Sequence, residues 1–140
     1  MPRALGLDLG SVRIGVATSD PGRVIASPYG VITRGKDHAA DHAAIAAAVA
    51  ESDASIVVVG LPRAMSGKET AAARTVRAEA EELRAVLDVP LVFWDERLST
   101  VTAQRSLIAG GVRRQQRKGS VDKVAAAVIL QSWLDAGCPG

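Results

Sequence analysis

Four acidic residues stand where their surroundings do not call for charge: Asp8 in "ALGLDLG", the pair Asp95 and Glu96 in "VFWDER", and Asp122 in "KGSVDKV". Asp8 is the hardest to dismiss. It lies between Leu7 and Leu9 in an apolar run, and aspartate is depleted from strands and seldom buried without a partner. Carboxylates gathered within a few ångströms repel one another unless a cation neutralises them. Oxygen-only ligands favour Mg²⁺ or Mn²⁺ over Zn²⁺. A pair of such ions suits in-line attack of water on a phosphodiester, one activating the water and the other stabilising the leaving oxygen.

Each acid also has a plain structural reading. Asp122, three residues after Gly119 and near an expected helix start, could complement the helix macrodipole. Asp95 and Glu96 could be surface charges after a buried strand, with Arg97 as their ion-pair partner. Strand alternation puts neighbouring side chains on opposite faces, so only one of Asp95 and Glu96 is expected to point into a shared site.

The elements that must bring these acids together can be followed along the chain. "RALGLDLG" and "RIGVATSD" read as two strands joined tightly around residues 10–13, and "VIASPYGVIT" as a third that Pro28 interrupts or marks as an edge. Asp37 can cap an Ala-rich helix, "DHAADHAAIAAAVAES". "SIVVVGLP" is apolar on both faces, as a covered central strand should be, and "KETAAARTVRAEAEELRAVL" has helical periodicity. "VPLVFWDER" is a further strand ending in charge. Ser99 can cap a helix in "STVTAQRSLIAGG", a basic loop follows, and "SVDKVAAAVILQSWLDAG" closes the chain as a helix. The order β-β-β-α-β-α-β-α-α implies an α/β fold with a mixed sheet, antiparallel in the N-terminal meander and parallel where helices cross over. If the first and last strands lie side by side or one apart, Asp8 and the Asp95–Glu96 pair open on the same edge of the sheet, where ligands bind in open α/β folds.

At 140 residues the chain has the size of a single domain, 1–140, and can bury a core without disulfides or zinc. No uncharged run is long enough to cross a bilayer, and "MPRALGLDLG" enters a strand with no signal-peptide pattern, so the expectation is a cytoplasmic protein without membrane association. Cys138 is the single cysteine, which excludes an intramolecular disulfide. A net charge of +2 does not by itself indicate nucleic acid, but Arg113, Arg114, Arg117 and Lys118 crowd into "GGVRRQQRKGS" directly before Asp122. There they could hold substrate phosphates, although a solvated loop is the commoner fate of such a run. "GLPRAMSGKE" imitates a phosphate-binding loop but fails, with Pro62 in place of the first glycine and Glu69 in place of the hydroxyl residue. His38 and His42 are four apart, yet no metalloprotease glutamate accompanies them, and they read as a solvated helix face.

"GLDLGSVRIGVATSD", "VVVGLPRAMSGKE", "WDERLSTVTAQ" and "RKGSVDKVAAAVILQSWLD" together resemble the YqgF/RuvX family, in that family's order and over nearly the whole chain. The resemblance implies an RNase H-like fold and metal-dependent phosphodiester hydrolysis. It points to a nuclease that matures the 5′ end of precursor 16S rRNA, or alternatively to a Holliday junction resolvase acting on four-way DNA. By motif match Asp8, Glu96 and Asp122 carry over as catalytic metal ligands for Mg²⁺ or Mn²⁺, with Asp95 in reserve for the second. Arg97, Arg63 and Lys68 join the basic cluster as candidate nucleic-acid contacts. The partners implied are precursor rRNA, with the pre-30S particle, or branched DNA. The chain holds four aromatic residues, too few for extensive base stacking, so recognition through phosphates is expected. A junction resolvase must cut two symmetric strands and usually needs a twofold dimer. No heptad pattern or apolar stripe announces one, which leaves monomer and homodimer open. The first motif also resembles the phosphate loop of the actin-like and sugar-kinase ATP-binding proteins, but those clasp nucleotide between two domains and this chain has one. A non-catalytic ribosome-assembly factor of the same fold is the third reading, and the intact acids speak against it.

Overall fold

The computed structural model describes residues 3–62, 66, 68–98 and 114–139, with side chains in the last helix described from residue 123 onward. Five strands form one mixed sheet in the order β3-β2-β1-β4-β5: β1 (Arg3–Leu9), β2 (Arg13–Ser19), β3 (Ala26–Thr33), β4 (Ala54–Leu61) and β5 (Leu91–Asp95). β1 pairs antiparallel with β2, as β2 does with β3, while β4 is parallel to both β1 and β5. The first and last strands are therefore one apart. Pro28, which has no backbone donor, lies on the edge strand as expected, and the β2–β3 register shifts beside it, between Val16 and Ala17.

Two helices cover one face, α1 (His38–Ser52) and α2 (Ala71–Val86), and α3 (Arg114–Asp135) crosses the other. Alternation along β1 decides which side chains meet which layer. Leu5, Leu7 and Leu9 join Ile45, Val59 and Leu83 in the larger core cluster. Ala4 faces α3 with Ala126, Leu130 and Trp133. The β1 positions under α3, Ala4 and Gly6, are small because the helix lies close to the strand: a Cβ on Gly6 would stand 2.8 Å from the Leu130 Cβ and 3.2 Å from the Ala126 carbonyl oxygen.

Caps mark the helix starts. The Asp37 carboxylate accepts from the Ala40 N–H at 2.9 Å, as anticipated, and the Thr70 hydroxyl accepts from the Ala73 N–H at 3.1 Å. One boundary differs from the expectation. The last helix begins at Arg114, not near Ser120, so Arg114, Arg117 and Lys118 lie in a helix instead of a basic loop. Arg, Gln and Lys are good helix formers, and together they outweigh the roughly 1 kcal/mol cost of Gly119 in the interior. Asp122 is consequently more than two turns into α3, which removes the macrodipole reading. The expected helix after Ser99 lies outside the described residues, as do Arg63 and Arg113. Among the described residues no helix is long and apolar enough to cross a membrane.

Candidate active site

The C-terminal ends of β1 and β4 open onto a cavity of about 690 Å³ whose wall includes Asp8, Gly60, Arg13, Arg34, Glu79 and Glu96. Asp8 is in register with Gly15 of β2 and two residues past Gly6, on the strand face that carries Ala4. It is 8% exposed. Glu96, 7% exposed, is the first residue of a short 3₁₀ helix, Glu96–Leu98, that follows β5 directly. Its Cγ would lie 3.3 Å from a Cβ on Gly60, and the Ile129 Cδ1 would lie 2.6 Å away. Glycine at 60 thus leaves the space that Glu96 and α3 occupy.

Hydrogen bonds set the position of the segment that carries Glu96. The Trp94 indole N–H donates to the Ser132 hydroxyl at 2.8 Å, and that hydroxyl donates to the Leu98 carbonyl at 2.8 Å, so both flanks of Glu96 are tied to α3. Asp95 is directed elsewhere. It accepts the Arg97 backbone N–H at 2.9 Å and pairs with the Arg97 guanidinium at 2.6 Å. Of the two neighbouring acids, Glu96 is the one on the cavity wall.

Residue 122 lies within α3, whose direction is set by its later turns. The Gln131 side chain bonds Ala26 N–H and the Val24 carbonyl at the start of β3, a strand end level with the N-terminal end of β1. α3 therefore runs toward the end of β1 as it is traced back to its N-terminus. Position 122 is one turn before Ala126 and two before Leu130, the residues that meet Gly6. Lys68 is exposed, and Arg97 is engaged with Asp95.

Beside the acids lies a charged network that sequence reasoning missed. Arg34, between β3 and α1, donates to both Glu79 oxygens at 2.7 Å and to Asp41 at 3.0 Å, while its Nε bonds the Gly10 carbonyl at 2.8 Å. It thereby fixes the β1–β2 loop next to Asp8. Burial works to raise the Glu79 carboxyl, and hydrogen bonds from Arg34 and His42 more than reverse this, holding it below the ordinary glutamate range. Asp41 is likewise held low, chiefly by the Gly35 N–H at 2.7 Å, with burial opposing and Arg34 assisting. His42 is buried against Glu79 at 3.0 Å, which corrects the solvated-face reading; only His38 is half exposed. The signal was available in part. Glu79 falls on the stripe Ala73, Val76, Ala80, Leu83 that α2 buries, and a charge on such a stripe requires a partner.

Residues 2–136 match a family model described as "RuvX: Holliday junction resolvase". The chain belongs to the RuvX family. Its curated relatives include proteins named "Putative pre-16S rRNA nuclease" from Mycobacterium sp. strain KMS, 47% identical over 95% of this chain and 79% of that one. Another of that name, from Anaeromyxobacter sp. strain Fw109-5, is 48% identical over 95% of this chain and 96% of that one. Among solved structures, Thermus thermophilus RuvC in complex with a Holliday junction substrate aligns over 99% of this chain and 98% of that one, with a TM-score of 0.61 at 14% identity. This likeness establishes the RNase H-like fold of the RuvX-family chain.

Proposed function

We propose that this chain, a nuclease by its family, hydrolyses phosphodiester bonds of precursor 16S rRNA at the cavity walled by Asp8 and Glu96, in the cytoplasm. The observation that carries the site is the meeting of these two buried carboxylates, 88 positions apart in sequence, on one cavity at the sheet edge. They make an all-oxygen donor set, which fits Mg²⁺ or Mn²⁺. Asp122, in α3, is the third ligand. Asp8, Glu96 and Asp122 would hold a divalent ion, which when bound would supply an acidified water and offset negative charge on the phosphate.

The chain's own residues do the rest. Trp94 and Ser132 hold the Glu96 segment against α3, and Arg34 anchors the loop at residues 10–12. Arg13, on the cavity wall, faces the anionic substrate. Arg113, Arg114, Arg117 and Lys118, together with Arg63, Lys68 and Arg97, contact backbone phosphates of the substrate. The names of the relatives favour rRNA, carried by the pre-30S particle. The family description favours a second reading, cleavage of four-way DNA junctions.

Both substrates distinguish these readings when offered side by side with Mg²⁺ or Mn²⁺. The wild type should cut a precursor 16S 5′ leader RNA, and Asp8→Asn and Glu96→Gln should each lose that cleavage while staying folded. Full cleavage by both variants would remove these acids from the mechanism. Cleavage of the DNA junction alone would replace the rRNA reading with the second.

A further inference from the structure

The network behind the cavity also contains a donor set unlike the carboxylates at the sheet edge. His38 and His42, one turn apart on α1, and Glu79 from α2 offer three ligand atoms that all lie within 4.8 Å of one another. We propose that His38, His42 and Glu79 form a second metal site, for a borderline transition-metal ion of the Zn²⁺ class. The proposal is independent of the nuclease reading.

Geometry supports it first. Zn²⁺ takes nitrogen and oxygen ligands at about 2.1 Å, which puts neighbouring ligand atoms of a tetrahedron about 3.4 Å apart. The His42 Nε2 and His38 Nε2 are 3.0 and 3.9 Å from the Glu79 Oε2, on either side of that spacing. Two imidazoles select a softer ion than the all-oxygen set around Asp8 and Glu96 does. His38 and Glu79 line the cavity, which leaves a fourth position open to water or to a substrate oxygen.

The surroundings of the three ligands have the form of a supporting shell. Arg34 grips both Glu79 oxygens and fixes the carboxylate's orientation. The His38 Nδ1 faces the Glu82 carboxylate at 3.3 Å, the carboxylate–histidine pairing that orients metal-binding imidazoles. The other ring nitrogen of His38, Nε2, lies 3.9 Å from the Glu79 Oε2, on the side where a shared cation would sit. Charge agrees as well. Asp41 and Glu79 share the Arg34 guanidinium and the Glu82 carboxylate lies against His38, so the acids packed around the two imidazoles favour a bound cation.

Co²⁺ is the probe, because tetrahedral coordination makes its visible absorption much stronger than octahedral coordination does. The tag-free full chain, freed of metal with a chelator, is titrated in an Asp8→Asn background so that the carboxylate site is disabled. One equivalent should bind with tetrahedral intensity and be displaced by Zn²⁺. His38→Ala, at a half-exposed position, should abolish the intense bands, and Glu82→Gln, at an exposed one, should weaken binding by about 10- to 100-fold. Weak octahedral absorption throughout, or intense bands unchanged in His38→Ala and Glu82→Gln, would overturn the proposal. The Glu82→Gln titration decides the matter if His38→Ala fails to fold.

Discussion

Replacing Arg34 by Met removes the one guanidinium that Glu79 and Asp41 share and leaves their carboxylates, 5% and 3% exposed, inside the protein. Asp41 keeps the Gly35 N–H, and Glu79 keeps His42. Breaking a buried ion pair from one side costs about 3–5 kcal/mol, because an uncompensated charge stays buried. With a urea slope of about 2 kcal/mol per molar, the unfolding midpoint at pH 7 should fall by about 1.5–2.5 M. The pH dependence follows from the direction of the shifts. In the wild type both carboxyls titrate below their ordinary values. Their contribution is therefore complete above the unfolded values of about 4.3 and 3.9 and is lost as pH falls through the depressed native ones. In Arg34→Met, burial of Glu79 is no longer countered by the guanidinium, so Glu79 takes up a proton at higher pH and becomes a neutral group that tolerates its site. The deficit relative to wild type should accordingly shrink between pH 7 and pH 4.5. Urea unfolding followed by circular dichroism at both pH values measures it. A midpoint shift below about 0.5 M at pH 7, or an equal deficit at both pH values, would refute the reasoning. The double variant Arg34→Met/Glu79→Leu should recover most of the loss, since an apolar replacement of a buried pair is often neutral.

Gly60→Ala would place a methyl group 2.6 Å from the Ile129 Cδ1 and 3.3 Å from the Glu96 Cγ. It should cost about 1–3 kcal/mol in thermal or urea unfolding, and nuclease activity should fall well beyond that expected from the unfolded fraction. Asp95→Asn separates the neighbouring acids: cleavage should persist at a reduced rate, because Asp95 pairs with Arg97 away from the cavity, whereas Glu96→Gln should lose it. Replacing Arg113, Arg114 and Arg117 by Ala should weaken nucleic-acid binding and lower the slope of log K against log salt by up to about 0.7 per lost contact on a single strand. An unchanged slope would take these residues out of phosphate binding.

Local pattern alone determined the strands, their mixed pairing and the N-cap of the first helix. Alternation, a β-branched run in β4 and Asp37 before an Ala-rich helix act over a few residues, and neighbours in sequence encode them. Asp8 announced itself because a charge in an apolar strand conflicts with everything local around it. Local pattern could not choose between Asp95 and Glu96, since the strand stops between them and a 3₁₀ turn re-aims the chain. Nor could it find where α3 begins, where the helix-forming residues before Gly119 prevail over the glycine. The network of Arg34, Asp41, His42 and Glu79 belongs wholly to the tertiary structure. Arg34 and Glu79 are 45 positions apart, and the packing of α1 and α2 on one face of the sheet brings them within 2.7 Å. In sequence Glu79 is one acid among several in "EAEEL", and it becomes a buried partner only when its helix turns that face inward.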